Sequence, residues 1–297
     1  MSENTFLPLT IVARKHEERV RHALLQVIAY LRAHDIPFVL DSVCQTMFNI
    51  PNVTTVNLHH VKHGLLVSVG GDGSLLRILS HACANDLPVL GIHSGNVGFL
   101  SDITLDSLQS LVTIIQGTYA FESRSLLGAS YKSDGSSHTS GPALNEFVIS
   151  SAVPGKLIRY QLLLRGKVIA HHHADGIIVA TPTGSTAYAL SAGGPVMTPS
   201  LASNLILPVC PHTLSSRPIV LPESENVEIR LDNIEGHDAV ISFDGHDAHT
   251  LDRNSVITVH THSKKLRLIH PQDYDFFVTL QNKLHWEMPH HDPGYND

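Results

Sequence analysis

Short apolar runs alternate with amphipathic segments in the N-terminal part of the chain. The strand-length apolar runs are residues 7–13, 37–40, 65–69 and 88–92. The amphipathic segments, which repeat apolar residues at helical spacing, are residues 17–34, 74–84 and 104–116. Strands that alternate with helices are typical of a mostly parallel sheet. We therefore predict an α/β domain over residues 1–121.

From residue 122 onward the pattern changes to short strands without long helical periodicity. The strand candidates are residues 147–151, 160–164, 168–172, 177–180, 227–231, 240–243 and 256–260. Arg165-Gly166 and Asp244-Gly245 favour hairpin turns, because glycine and aspartate tolerate the positive φ angles that such turns require. This pattern of short strands and turns predicts an all-β, sandwich-like second domain over residues 122–270.

Composition narrows the class of protein. The 297 residues are 42% hydrophobic and 16% charged, which is typical of a globular chain and not of a disordered one. A net charge of -7 argues against nucleic acid as the main partner. The chain shows neither a signal-peptide pattern nor an apolar run of the roughly 20 residues that a membrane span needs. With three cysteines at no metal-ligand spacing, we expect a cytoplasmic protein that does not enter the membrane.

Glycines surround one aspartate directly after the apolar run 65–69, in Gly70-Gly71-Asp72-Gly73. Glycines let backbone N–H groups approach phosphate, and the following helix points its positive end at the same place. A carboxylate among phosphates is repelled unless it takes up a proton or shares a metal. The loop thus favours phosphoryl transfer with Asp72 as base. The alternative is an ordinary strand-to-helix turn with Asp72 as the helix cap.

Two further motifs are ambiguous when each is taken alone. The motif Gly91-Ile92-His93-Ser94-Gly95-Asn96-Val97-Gly98-Phe99-Leu100 again follows a predicted strand, and Phe99 either stacks on a base or belongs to the core. Asn145-Glu146 precedes a predicted strand and can bind the two vicinal hydroxyls of a ribose, or it is a solvated strand start.

Residues 175–188 form the densest cluster of small polar residues in the sequence. A predicted strand runs into Thr181-Pro182-Thr183-Gly184-Ser185-Thr186, a loop of hydroxyls, glycine and proline. Hydroxyl and N–H groups recognise a nucleotide without charge, whereas helix capping would explain one of these residues. His171-His172-His173 does not predict a metal site, because successive side chains of a strand point to opposite faces.

Taken together, these motifs resemble one family, the NAD kinases, which phosphorylate the 2′-hydroxyl of the adenosine ribose of NAD. The matching motifs are, in chain order, Gly70-Gly71-Asp72-Gly73, Gly95-Asn96-Val97-Gly98-Phe99-Leu100, Asn145-Glu146, residues 175–188, Ser191-Ala192-Gly193-Gly194-Pro195 and residues 211–218. The resemblance implies transfer of phosphate from ATP, or from polyphosphate, to NAD. It also implies a divalent cation, usually Mg²⁺, whose protein ligands the motifs do not identify.

The same resemblance implies how the chain is organised. The final segment, residues 271–297, would return to the first domain. The protein would be a homo-oligomer, commonly a homotetramer, with each site completed by a neighbouring subunit. Residues of the second domain would place the ribose hydroxyl at the aspartate of the first.

Matching positions give the candidate site. Asp72 matches the catalytic aspartate, and Gly71 would admit donor phosphates. Phe99 would lie against the adenine. The candidate NAD- and substrate-binding residues are Gly73, Arg77, Phe99, Asn145, Glu146, His173, Asp175, Thr186, Ala187, Tyr188, Ser191 and His246. His173 and His246 depart from the family pattern, since the family often has a basic residue before its Asp-Gly pair and a glutamine in place of the second histidine.

Two other functions share part of this pattern. Diacylglycerol and sphingosine kinases have a similar glycine loop, but the motif 181–188 argues against a lipid kinase. A dinucleotide sensor without catalysis would keep the pocket, and an intact Asp72 speaks against it.

Overall fold

The computed structural model describes residues 6–95, 98–133, 135–232, 238–252 and 254–286. The chain divides into two compact units, and residues 287–297 of the predicted returning segment lie outside the described ranges. The first unit contains Met1–Leu75, Pro88–Glu122 and Leu268–Asp297, and the second contains Leu76–Leu87 and Ser123–Arg267.

Helices and strands are numbered in chain order. The helices are α1 Glu18–Ala33, α2 Ser42–Phe48, α3 Asp72–Leu76, α4 Leu79–Ala84, α5 Ser110–Ile115, α6 Tyr188–Ser191 and α7 Phe276–Leu284, with short 3₁₀ turns at Leu58–His60, Leu105–Ser107 and Thr183–Thr186. The strands are β1 Leu9–Val12, β2 Phe38–Asp41, β3 Thr55–Val56, β4 Leu66–Gly70, β5 Pro88–His93, β6 Ala120–Arg124, β7 Leu127–Ser133, β8 Ser136–Ala143, β9 Glu146–Ser151, β10 Ile158–Leu164, β11 Lys167–Ala174, β12 Gly176–Ala180, β13 Ser203–Val209, β14 Ile219–Pro222, β15 Val227–Leu231, β16 Ala239–Phe243, β17 His246–Leu251, β18 Val256–Thr261 and β19 Leu266–His270.

A mostly parallel sheet forms the centre of the first unit, as predicted. Within the described residues its strand order is β3-β2-β1-β4-β5-β19-β6. β1 pairs in parallel with β2 and β4, and β4 pairs in parallel with β5. The strand order therefore reverses between β1 and β4, and open sheets of this kind bind ligands at the carboxyl ends of the strands at such a point. The loop Gly70–Gly73 begins there.

The helical periodicity of the first unit predicts α1 correctly, but elsewhere it predicts one long helix where the structure has shorter, separate elements. The predicted helix 74–84 is two helices, α3 and α4, separated by Arg77 and Ile78. Leu75, Leu79 and Ala82 are all buried at spacings of four and three, so the apolar pattern continues across the break. The predicted helix 104–116 likewise begins as a 3₁₀ turn before α5.

The second unit is a β-sandwich, which confirms the predicted class. In the described part of this unit the sheets have the orders β11-β10-β15-β18-β7-β8 and β14-β13-β12-β9-β16-β17, and neighbouring strands in both sheets are antiparallel. One core contains Tyr160 and Ile229 from the first sheet with Phe147 and Ile241 from the second, so the sheets pack face to face. No helix among the described residues is long and apolar enough to cross a membrane.

Candidate functional site

Asp72 is held in place by the loop that follows β5. Its Oδ2 accepts a hydrogen bond from the N–H of Phe99 (2.8 Å), and its Oδ1 accepts from the N–H of Leu100 (3.1 Å). The hydroxyl of Ser101 donates to Oδ1 at 3.4 Å. A Cβ at Gly98 would lie 1.9 Å from Oδ1, so only glycine admits the carboxylate in this position. The carboxylate is therefore oriented by rigid backbone donors.

The electrostatic environment makes Asp72 a better base than a free aspartate. Burial raises the pKa of Asp72, while the N–H groups of Phe99 and Leu100, and then the charge of Lys283, lower that pKa without cancelling the effect of burial. A carboxylate with a raised pKa accepts a proton more readily, which suits a general base.

His93 and Lys283 act on or lie beside the glycine loop, although neither is among the candidate site residues from the sequence. His93 ends β5 and is the register partner of Gly70 in β4. The N–H of Ser94 donates to the carbonyl of Gly70 at 2.9 Å, which fixes the two strand ends side by side. A histidine directly after an apolar strand, beside the glycine-loop strand, is the sequence feature that indicates this position.

The other candidates near the glycine loop are open to ligand. Gly73 is exposed in the first turn of α3, and a Cβ built on it meets no atom within 4 Å. Arg77 is exposed and directly follows α3. Phe99 is half-buried, with its ring centroid 6.4 Å from that of Phe276. Asn96 and Val97 of the second motif lie outside the described residues.

In the second unit, several strand ends meet at one sheet edge. β9 begins at Glu146, which pairs with Ala180, the last residue of β12. β16 ends at Phe243, which pairs with Phe147. Asn145, the loop after β12 and the turn after β16 are therefore neighbours.

Asp244 organises this edge. Its carboxylate accepts hydrogen bonds from the N–H groups of Leu144 (2.8 Å), Asn145 (2.7 Å) and Glu146 (3.0 Å). The Nδ1 of His246 lies 2.6 Å from the carbonyl oxygen of Asp244. The predicted turn at Asp244-Gly245 is present, with φ angles of 48° and 71°. Asp244 thus serves as more than a turn residue, because it positions two candidate NAD contacts.

Glu146 is a buried carboxyl group that holds its proton near neutral pH. Burial raises its pKa, the charge of Asp244 raises it further, and a hydrogen bond from the backbone of Tyr188 lowers it, giving a value of about 8. Its Oε2 is buried and has no hydrogen-bond partner in the described structure. A protonated carboxyl group can donate as well as accept a hydrogen bond.

The hydroxyls of the loop after β12 mainly shape the loop itself. Thr181 donates its hydroxyl to the carbonyl of Leu144 and its N–H to the carbonyl of Asn145 (2.8 Å). Thr186 donates to the carbonyl of Thr183 at 3.0 Å, within the same 3₁₀ turn. The hydroxyl hydrogens of these two threonines are thus donated to backbone carbonyls, and a hydroxyl oxygen that donates can still accept a hydrogen bond.

The buried Arg124 is a further contact to this loop that sequence reasoning missed. Its Nη1 donates to the Thr183 hydroxyl at 3.3 Å. The loop continues through Ala187 into α6, where Tyr188 is 46% exposed and Ser191 is exposed.

His173 and Asp175 lie at the other end of β12. Asp175 is exposed, and its N–H donates to the carbonyl of Val209 at 3.0 Å. His173 lies near the end of β11, with its ring centroid 5.9 Å from that of His212. β12 spans Gly176–Ala180, and a strand rises by about 3.3 Å per residue, which separates its ends by roughly 13 Å. The structure brings Asn145, Glu146, Tyr188 and His246 together and places His173 and Asp175 apart from them.

No group of three or more His, Cys, Asp or Glu residues suited to a metal converges within the described ranges. Mg²⁺ does not require such a cage, because it usually keeps water and substrate phosphates as ligands and takes only one or two carboxylates from the protein.

Comparison with known proteins identifies the family over most of the chain. Residues 13–119 match the ATP-NAD kinase N-terminal domain, and residues 144–271 match the ATP-NAD kinase C-terminal domain. An NAD kinase from Legionella pneumophila (strain Corby) is 36% identical over 284 residues, which cover 94% of this chain and 96% of that protein. An NAD kinase from Thiobacillus denitrificans is 36% identical over 278 residues, with coverage of 92% and 94%.

Solved structures agree with this assignment. The fold is similar to that of yeast NADH kinase complexed with NADH, with a TM-score of 0.85 and 23% identity over 97% of this chain and 89% of that chain. An NAD kinase from Archaeoglobus fulgidus in complex with ATP aligns with a TM-score of 0.68 and 26% identity, covering 93% of this chain and 98% of that chain. The chain therefore belongs to the NAD kinase family.

Proposed function

We propose that Asp72 is the general base with which this NAD kinase transfers a phosphoryl group from ATP to the 2′-hydroxyl of NAD. The observation that carries the proposal is the fixed carboxylate, held by the N–H groups of Phe99 and Leu100 at the carboxyl edge of the parallel sheet. The hydroxyl proton passes to Asp72 as the 2′-oxygen forms its bond to the γ-phosphorus. The bond from that phosphorus to the ADP oxygen breaks, and NADP and ADP leave.

The candidate residues of the second unit are proposed to bind NAD, and Phe99 is proposed to lie against the adenine. Asn145 and Glu146 would bind the nicotinamide-side ribose, since an amide and a protonated carboxyl group both donate and accept hydrogen bonds. The pKa of about 8 for Glu146 supports this assignment. Tyr188 and His246, which contact Glu146 and Asp244, border the same place.

The donor would bind at the glycine loop. Gly71 and Gly73 leave open space, since a Cβ at either meets no atom within 4 Å. The similarity to an archaeal NAD kinase in complex with ATP supports ATP as donor, and polyphosphate offers the same phosphoanhydride chemistry. Mg²⁺ would enter the site bound to the phosphates of the donor and would neutralise part of their charge.

A homotetramer in the cytoplasm is the assembly that these features favour. Asp175 lies roughly 17 Å along the strand from Ala180, the register partner of Glu146, and His173 lies at the same end of β12 as Asp175. If His173 and Asp175 contact the NAD bound in a neighbouring subunit, their separation from Glu146 is explained. Cys44, Cys83 and Cys210 are all unpaired, which fits a reducing compartment.

The test is the formation of NADP from NAD, ATP and Mg²⁺, detected with an NADP-specific dehydrogenase across a range of pH. We expect NADP from NAD and no product from an analogue that lacks the 2′-hydroxyl. Turnover should fall on the acid side, because the raised pKa of Asp72 leaves less carboxylate there to accept a proton. A protein that binds NAD but makes no NADP with ATP or polyphosphate would be a dinucleotide sensor instead.

A further inference from the structure

Helix α7 is packed against the loop that holds Asp72. Phe276, its first residue, contacts Phe99, with ring centroids 6.4 Å apart, and the N–H of Phe99 donates to the Asp72 carboxylate. Lys283 follows Phe276 by seven residues. In an α-helix, seven residues turn through nearly two full turns, about 20° less, and advance about 10 Å along the helix axis. Lys283 therefore lies on the same face of α7 as Phe276, the face turned towards the loop that holds Asp72.

The charge of Lys283 acts on Asp72, and its ammonium group forms no ion pair with a described residue. Besides burial, which raises the pKa of Asp72 and lowers that of His93, the charge of Lys283 lowers the pKa of both groups. In the part of the chain that the structure describes, no carboxylate lies within ion-pair distance of its ammonium. A positive charge is thus available beside the base.

His93 offers a buried donor at the same place. Its side chain is 6% exposed, and its Nδ1 accepts a hydrogen bond from the N–H of Gly95 at 3.4 Å. Because Nδ1 accepts, the neutral ring carries its proton on Nε2. That Nε2 is buried and has no partner among the described residues. Since a buried donor without an acceptor is destabilising, its acceptor is expected from a ligand.

We propose that Lys283 and His93 form the subsite that binds the phosphoryl group in transfer, with the Lys283 ammonium and the His93 Nε2–H donating to its oxygens. This proposal rests on the proposed function of Asp72, and the subsite would reduce the charge repulsion that such a base creates. The negative phosphoryl group and the negative Asp72 repel each other, and a cation with a second donor beside both offsets the repulsion. Lys283 and His93 are catalytic residues in this scheme, because both touch the reacting group.

Lys283→Met tests the cationic half of the subsite. We expect kcat/KM for ATP to fall about 10- to 100-fold, as for loss of a charge-assisted hydrogen bond, while the Kd for NAD changes by less than about twofold. Lys283→Arg keeps the charge and should retain most of the activity. Lys167→Met, at an exposed position of β11, is the matched control and should behave as wild type.

His93→Gln and His93→Leu test the donor half. A glutamine amide can reach the position of Nε2 and donate, so we expect His93→Gln to keep more of kcat/KM for ATP than His93→Leu. Thermal melting of each variant identifies a loss that comes from unfolding. Lys283 is only partly buried, whereas His93 is buried, so the Lys283 variants disturb core packing less.

Several outcomes would overturn the subsite. An active wild type whose kcat/KM for ATP is unchanged in Lys283→Met would overturn it and leave the role of Asp72 standing. Equal loss in Lys283→Met and Lys283→Arg, or a matching loss of NAD affinity, would point to a structural role instead. A wild type that forms no NADP would overturn the proposed function and the subsite with it.

Discussion

Replacing Glu146 with glutamine should make the protein more stable, by an amount that grows with pH. Glu146 is 6% exposed and lies beside Asp244, whose carboxylate binds the Glu146 N–H. Burial first, and then the charge of Asp244, raise the pKa of Glu146 from 4.5 to about 8. Glutamine has nearly the same shape as the protonated glutamate and carries no charge at any pH.

The magnitude follows from the difference between folded and unfolded states. Because the pKa of Glu146 is raised in the folded protein, the contribution of this group to the free energy of unfolding is fully present below pH 4.5. That contribution is lost as the pH rises through about 8. Each pKa unit corresponds to about 1.4 kcal/mol, so the complete loss is roughly 5 kcal/mol. At pH 7 the loss is about 3 kcal/mol, and at pH 5 it is about 1 kcal/mol.

Urea unfolding followed by far-ultraviolet circular dichroism at pH 5, 7 and 9 measures this effect at one protein concentration. The advantage of Glu146→Gln in free energy of unfolding should rise by roughly 2 kcal/mol from pH 5 to pH 7 and rise further at pH 9. Titration of groups distant from Glu146 is common to both proteins and cancels in the difference, whereas the titration of Asp244 is coupled to that of Glu146 and belongs to the measured effect. A difference that is independent of pH would refute the assigned protonation of Glu146.

Other substitutions test separate parts of the structure. Gly98→Ala would place a methyl group 1.9 Å from an Asp72 oxygen; we expect turnover to fall about 100-fold by displacement of the base, with NAD affinity kept in calorimetry. Gly184→Ala would place a Cβ 2.0 Å from the carbonyl oxygen of Asn145; urea unfolding should show a loss of about 2 kcal/mol or more from overpacking. Burial lowers the pKa of His270, but the carboxylates of Asp102, which contacts its Nδ1, and of Glu122, whose Oε2 lies 3.4 Å from its Nε2, outweigh burial and raise that pKa above 6.5. Its contribution to stability is therefore present below pH 6.5 and lost above the raised pKa, so melting temperatures of wild type and His270→Gln should diverge less at pH 9 than at pH 6.

The glycine loop could be predicted from sequence because its determinants are local. An apolar run predicts the buried strand, the glycines after it predict a turn, and the parallel sheet predicts that ligands bind at that edge. The hairpin turn at Arg165-Gly166 is local in the same way, with φ angles of 51° and 72°. By contrast, β8 escapes prediction because this edge strand is almost entirely exposed and has no apolar alternation.

Residues that act through distant contacts are not visible in a sequence pattern. Asp244 has the signature of a turn residue, yet its carboxylate holds the N–H groups of Asn145 and Glu146 far earlier in the chain. His93 reaches its place through the register of β4 and β5, and Lys283 through the packing of α7. Fold and local motifs follow from the sequence, whereas the electrostatic environment of the base follows from tertiary packing.

The rate of the chemical step in Asp72→Asn tests the central claim most directly. Enzyme in excess is mixed with γ-labelled ATP and saturating NAD, the reaction is quenched with acid, and labelled NADP is counted over a single turnover. The carboxamide keeps the shape of the side chain but cannot take the hydroxyl proton. We expect the rate to fall about 10²- to 10⁴-fold, the usual contribution of a general base, with the Kd for NAD unchanged. A rate within about tenfold of wild type would contradict the assignment of Asp72 as the base.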